Sequence, residues 1–302
     1  MSYRLRKHET LQKAIRRIAR DQIDKAIHEI DDEALNDQET IHQVRKRCKK
    51  LRALIRLFRP VLGKNYQTEN AAYRDIATNL AIIRDEQSLV VALESLLAKA
   101  GHAERGNFDQ VLENLRARRD AADQKSSQNP EVLLLDARKK LVKARQRVAR
   151  WDINKEGYQA FSGGFNTTYK RGRLAMKKAF KREQINDFHE WRKRVKYHGH
   201  HLKLLKPLWP EVNKVVRQQA NTLADILGND HDLALLSTLL ESEGKRLAED
   251  ELRLKLQAVI AAELEALQSQ AWSIGQRLHA EKPKALNKRW KHYWQTWQTT
   301  RS

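Results

Sequence analysis

Apolar residues recur at three- and four-residue intervals along nearly the whole 302-residue chain, as at Ile41, Val44, Cys48, Leu51, Ile55 and Phe58. That spacing lays one apolar stripe along a helix. No stretch shows the strict alternation of a half-buried strand, so the pattern predicts an all-α protein. Helices are expected over 3–31, 40–59, 66–99, 103–124, 131–150, 158–181, 187–206, 211–241, 245–281 and 284–299. Stop signals separate them: "RPVLGKN" at 59–65, "KAGHAERG" at 99–106, "KSSQNP" at 125–130, "SGG" at 162–164, "KPLWP" at 206–210 and "EKP" at 281–283. Gly228 and the middle of 66–99 are where long helices would kink or divide.

One pattern of polar positions is written twice. "IHQVRKRCKKLRALIRLFRP" occupies 41–60, and "FHEWRKRVKYHGHHLKLLKP" occupies 188–207. His42 matches His189 at an offset of 147 (189 − 42), and Arg45/Arg192, Lys46/Lys193, Arg47/Arg194, Lys49/Lys196, Arg56/Lys203 and Pro60/Pro207 keep that register. Downstream, "IIRDEQSL" at 82–89 loosely echoes "ILGNDHDL" at 226–233, pairing Asp85 with Asp230. The duplication divides the chain into halves, 1–150 and 151–302, each expected to be an antiparallel helical bundle.

Stepping about 100° per residue from His42 places Arg45, Lys46, Lys49 and Arg56 within about 60° of it, with Arg52 at the margin. The apolar residues of that segment take the opposite side. In the second copy His189, Arg192, Lys193, Lys196, His200 and Lys203 share a stripe, while Phe188, Trp191, Val195, Leu202 and Leu205 oppose it. Thr40 precedes Gln43 by three and Asp187 precedes Glu190 by three, which reads as a capping box at each start. Each histidine would then sit in a first turn, where free amides and the positive end of the helix dipole favour a phosphate oxygen.

Composition sharpens this picture. The chain carries 59 Lys and Arg against 38 Asp and Glu, a net charge of +21, with only 11 Gly and 5 Pro. Few breakers suit a helical protein, and the charge asks for an anionic partner: nucleic acid, polyphosphate or a membrane surface. A basic stripe on one isolated helix is ordinarily a solvated face. Here eight Arg or Lys between 42 and 59 stand without a single acid, whereas a surface serving solubility mixes signs. Two such faces packed side by side repel unless an anion lies between them.

Further cations extend the stripes: Lys13, Arg17 and Arg20 on the first helix, and Lys170, Arg173 and Lys177 within "TYKRGRLAMKKAF". Asp85 and Asp230 are placed to orient arginines or histidines. His198, His200 and His201 point in different directions on one helix, and the basic surroundings disfavour a divalent cation, so no metal or cofactor is expected. No phosphate loop, dinucleotide turn or Ser–His–Asp signature is present. Cys48 falls on the core side, so it reads as a buried thiol and not a nucleophile. Trp290, Trp294 and Trp297 recur at helical spacing and read as the seam that docks the last helix. A single cysteine, the absence of a signal-like start and of any long apolar run point to the cytoplasm and away from a membrane.

The paired segments, with "YKRGRLAMKKA" before the second, resemble the CHAD family, the conserved histidine α-helical domain, over about residues 5–300. The resemblance implies two four-helix bundles related by a pseudo-twofold axis around a central basic cavity. It implies binding of inorganic polyphosphate and, for some members, association with polyphosphate granules; the reading favoured here is a module that binds without catalysis. Carried over, the histidine positions are His42 and His189, and the basic positions are Arg45, Lys46, Lys49, Arg56, Arg192, Lys193, Lys196 and Lys203. Many relatives are fused to a triphosphate-cleaving barrel with Glu-x-Glu strands, and nothing here reads as that barrel.

Three functions remain in view. A polyphosphate module would prefer long chains to triphosphate and triphosphate to orthophosphate, with sulfate or phosphate able to fill the same cradle. A nucleic-acid binder would add aromatic rings to the basic surface, where Tyr197 is the one marginal candidate. A metal-dependent phosphate-processing enzyme would draw on "KYHGHHLK" and "GNDHDL".

Overall fold

The computed structural model describes residues 3–81, 85–99, 108–125 and 129–300. Among them every regular element is a helix, as the apolar periodicity requires. The helices are α1 (Leu11–Ile30), α2 (Asp37–Leu57), the single-turn α3 (Arg59–Leu62), α4 (Lys64–Asn79), α5 (Asp85–Leu97), α6 (Asp109–Lys125), α7 (Pro130–Val148), α8 (Gln159–Arg182), α9 (Ile185–Leu204), α10 (Pro210–Glu243), α11 (Asp250–Leu278) and α12 (Pro283–Thr299).

Most starts and stops have local causes. Residues 3–10 are not helical; α1 begins after Thr10, whose side chain accepts from the Lys13 amide, so the expected start at 3 is corrected. The 66–99 segment divides into α4 and α5, while Gly228 leaves α10 unbroken. "SGG" at 162–164 does not end a helix but lies inside α8. Gly164 lets the backbones meet there: a Cβ would stand 2.0 Å from the Leu57 carbonyl oxygen. Parts of the stop segments 99–106 and 125–130, and residues 82–84 of the second echo, lie outside the described residues.

Helix α1 packs on α2 and α7, α2 on α4, and α4 on α7, so these four close on one another. In the second half α8, α9, α10 and α11 pack each on the next, and α12 lies on α8. Trp290 is buried against Phe165, and Trp294 meets Phe161 edge-on at 5.2 Å, the seam its spacing predicts. The halves join where α2 packs on α8 and α9 and where α3 packs on α8.

One apolar cluster runs through both halves, from Ile15, Val44 and Leu54 to Phe165, Trp191 and Leu227. A second cluster lays α5 and α6 on the far ends of α10 and α11 through Leu93, Val111, Leu236 and Leu256. Cys48 lies fully in the core, its thiol pushed up to about 12 by burial. Among the described residues no helix is long and apolar enough to cross a membrane.

Candidate functional site

The two basic helices are neighbours. At their crossing the His201 imidazole Nε2 lies 2.9 Å from the Ala53 carbonyl oxygen, and both residues are buried. Lys203 near the end of α9 lies close enough to Lys46 and Arg47, in the first half of α2, to feel their charge. Arg56 near the end of α2 lays its guanidinium over the Tyr197 ring, 4.4 Å from its centroid. The helices therefore pass in opposite senses. His42 precedes Ala53 by eleven residues and His189 precedes His201 by twelve, about 16–18 Å of helix each. Those lengths run in opposite directions, so the crossing gathers the middles of the stripes and holds the two histidines toward opposite ends.

The starts of both helices lie upstream of the expected caps. Asn36 caps α2, its side chain accepting from the Glu39 amide at 2.9 Å, and His42 becomes the sixth residue. α9 begins at Ile185; Asp187 is buried and takes ion pairs from Lys178 at 2.7 Å and Arg182 at 3.3 Å. Neither Thr40–Gln43 nor Asp187–Glu190 forms a capping box. Asn36 outcompetes Thr40 because "NDQE" supplies both a cap and first-turn acids. The amides beside the two histidines are thus committed to the helical ladder.

On one flank of the crossing, cations of four helices converge. Lys50 is buried, and its ammonium is pulled down to about 8, first by burial and then by Arg47, Lys203, Lys46 and Lys25. Lys203 is lowered for the same reasons, first by burial and then by Arg217 of α10, Lys46, Arg47 and Lys25. His200 stands edge-on to Tyr3 at 6.2 Å and is held at about 3 by burial and by Lys50, Lys203, Lys196 and Lys49. The segment before α1 straps this flank: Tyr3 donates to the Lys50 carbonyl at 2.8 Å, and the Leu5 amide donates to Leu204. Lys25 also closes an open groove of about 670 Å³ along α1 that Lys13, Arg17 and Arg20 line, which brings that stripe to the same flank. Arg17 is tied there to Glu9.

The other flank is built of arginines. Arg56 donates to Tyr66 and to Asn70, each at 3.2 Å, and Arg52 donates to Asn70 at 3.4 Å. Arg59 covers the Tyr66 ring. Arg171 of α8 completes a pocket of about 250 Å³ with Arg56, Arg59, Tyr66 and Thr167. Arg173 and Lys177, two and six positions on, line a separate depression against α11. Lys170 is exposed on that same side of α8.

The matched arginines repeat one bond. Arg45 donates to the Ala77 carbonyl of α4 at 2.9 Å, and Arg192 donates to the Ala224 carbonyl of α10 at 3.2 Å. Donors and acceptors are both 147 apart (192 − 45 and 224 − 77), so the register of the duplication reaches the next helix. Gly228 leaves room for the second guanidinium, since a Cβ there would meet its Nη2 at 2.7 Å. His189 lies tilted against His231, centroids 4.1 Å apart, and is lowered to about 4 by burial, His231 and its cationic neighbours. Lys193 pairs with Glu190, and Lys196 is lowered by burial despite Asp225 and Asp232 nearby.

Asp230 does not orient these groups. It is buried, accepts from Gln268 of α11 at 2.9 Å, and is raised to about 6 by burial. The carboxylates that face Lys196 are Asp225 and Asp232, and the side chain of Asp85 lies outside the described residues. The sequence also passed over Lys25, Lys50, Arg171, Arg217 and Tyr66, which sit beside a stripe or on a neighbouring helix and become visible only once packing is known. His198 fills the core between Phe165 and Tyr169.

Compared with protein-family models, residues 6–241 match the CHAD domain, and no curated protein matches the chain. The match covers α1 and runs nearly to the end of α10, leaving α11 and α12 beyond it. Well over half of the chain is matched, and the protein belongs to the CHAD domain family.

Proposed function

We propose that this chain binds inorganic polyphosphate, without cleaving it, along the α2–α9 crossing and its two cationic flanks. Membership of the CHAD domain family is consistent with a polyphosphate-related function. The observation that carries the reading is the flank where Lys25, Lys46, Lys203 and Arg217, from four helices, gather around the buried Lys50, whose ammonium is lowered first by burial and then by its cationic neighbours. Like charges held that close raise the energy of the unliganded protein, and a chain of phosphates placed among them removes the repulsion. Lysines supply point charges and the Arg52–Arg56–Arg171 flank supplies planar donors. His42 and His189, with Arg45, Lys49, Arg192, Lys193 and Lys196, extend the track toward the two ends, about 30 Å apart along the helices. A long polymer spans that length and orthophosphate does not. In the cell such a protein would collect in the cytoplasm where polyphosphate accumulates in granules.

Nucleic acid shares the electrostatics but needs open rings for base stacking. Here Arg56 covers Tyr197 and Arg59 covers Tyr66. The test is binding of labelled long-chain polyphosphate at about 0.15 M salt, challenged with triphosphate, orthophosphate and single-stranded DNA. Long polyphosphate is expected to win and to weaken steeply with salt. Preference for orthophosphate or for DNA overturns the reading, and release of phosphate during incubation with a divalent metal overturns its non-catalytic part.

A further inference from the structure

The cations that the α2–α9 crossing leaves unused lie on the opposite side of α8. Arg173 and Lys177 line a depression of about 280 Å³ between α8 and α11, together with Met176, Trp272, Gln276 and His279. None of its lining residues is acidic. Neither cation has an ion pair or hydrogen bond within the described residues.

His279 makes this more than a basic patch. It follows the last residue of α11, is 4 % exposed, and has both ring nitrogens buried without a hydrogen-bond partner. A buried imidazole with neither nitrogen satisfied is unfavourable and calls for an explanation. Its neighbours supply none: Tyr169 meets the ring edge-on at 5.2 Å but gives its hydroxyl to the Glu281 carbonyl at 3.0 Å. The backbone has been cleared to seat the ring, since a Cβ on Gly172 would stand 2.9 Å from His279 Cε1.

From this geometry we infer a second anion site, separate from the α2–α9 track, that takes a single phosphoryl group: inorganic phosphate or the phosphate of a monoester. Arg173 offers a planar pair of donors and Lys177 a point charge, which suits a tetrahedral dianion. The His279 ring, whose buried Nε2 faces Gly172 in the unliganded chain, turns on binding to donate one N–H to it, and Gln276 lines the same wall. The buried Met176 side chain and the partly exposed Trp272 ring form the apolar part of the wall. Burial, then His198 and Arg173, lowers the imidazole to about 3, so an arriving anion meets a neutral ring that still carries one N–H donor. Three of the groups, Trp272, Gln276 and His279, lie beyond the family match, so the site belongs to the added helix α11.

The test uses the full chain and two probes, orthophosphate and glycerol phosphate, followed by phosphorus NMR and calorimetry. One equivalent is expected to bind, and Arg173→Gln with Lys177→Gln is expected to weaken both probes at least fivefold while leaving long-chain polyphosphate within twofold. His279→Asn, which keeps an amide donor at the ring, is expected to weaken them less than His279→Phe. Lys203→Gln gives the reverse pattern, weakening polyphosphate and sparing orthophosphate. Binding of only the monoester would assign the site to a phosphorylated metabolite. No binding of either probe, or binding unchanged by the Arg173 and Lys177 substitutions, overturns the inference without touching the polyphosphate reading.

Discussion

The Nε2 nitrogen of His201 lies 2.9 Å from the carbonyl oxygen of Ala53, and through this bond α9 of the second half is fixed to α2 of the first. A carbonyl can only accept, so Nε2 carries the proton, and burial with Nδ1 left unpartnered keeps the ring neutral. Its position decides how the basic stripes meet, because it sits where the two helices cross. Replacing His201 by Leu removes the bond but leaves the apolar contact with Phe165. The expected loss is about 1–2 kcal/mol of unfolding free energy in urea. An unchanged midpoint would mean that the bond contributes nothing to joining the halves.

Buried histidines also set the response to acid. His198, His201 and His279 are held at about 4, 3 and 3, in each case first by burial. In the unfolded chain they return to about 6.5. Between those values the unfolded state takes up protons that the folded state refuses, so stability falls as pH drops below about 6.5 and keeps falling to the folded values. Three such groups together give a slope of about 4 kcal/mol per pH unit once well below pH 6. Urea midpoints at pH 7, 6 and 5 should drop progressively, and a flat profile would contradict the neutral burial of these rings.

Much of this was legible beforehand, and the gaps have physical causes. Helix type followed from the apolar period, and the 147-residue register is borne by Arg45 and Arg192 down to their acceptors. What a stripe cannot tell is the direction in which two helices cross. A helical wheel places His42 and His189 at equivalent points, but an antiparallel crossing sends equivalent ends apart. Nor does a wheel weigh one cap against another: Asn36 wins over Thr40 by a few tenths to about 1 kcal/mol, a margin that composition hides. Asp230 was misread because its loose echo of Asp85 departs from the register that the bonds obey.

Two glycines should respond oppositely to the same change. Gly164→Ala drives a methyl onto the Leu57 and Arg56 carbonyl oxygens, at 2.0 and 2.5 Å, and backbone cannot step aside. It should cost about 3 kcal/mol or more, or prevent folding. Gly228→Ala meets only the movable guanidinium of Arg192. There the gain in helix propensity, about 1 kcal/mol, offsets the lost bond to Ala224. Stability should stay nearly level while polyphosphate affinity falls severalfold, and calorimetry on both variants separates the two cases.

Lys50 ties stability to binding. It is 9 % exposed, and its folded value of about 8 lies below the ordinary 10.5. A lysine lowered by folding is charged in both states at pH 7, and folding then bears the cost of the buried charge. That cost is greatest below about pH 8 and fades as pH rises toward the unfolded value. Lys50→Met keeps the stem, removes the charge and should stabilise the unliganded protein by about 1–2 kcal/mol at pH 7, less at pH 10. The same change should weaken long-chain polyphosphate about three- to tenfold and flatten its salt dependence, since one fewer cation neutralises the chain. Saturating polyphosphate should therefore raise the melting temperature of the native protein more than that of the variant. If Lys50→Met instead lowers stability while leaving the affinity intact, the crowded cations are balanced within the fold and do not await an anion.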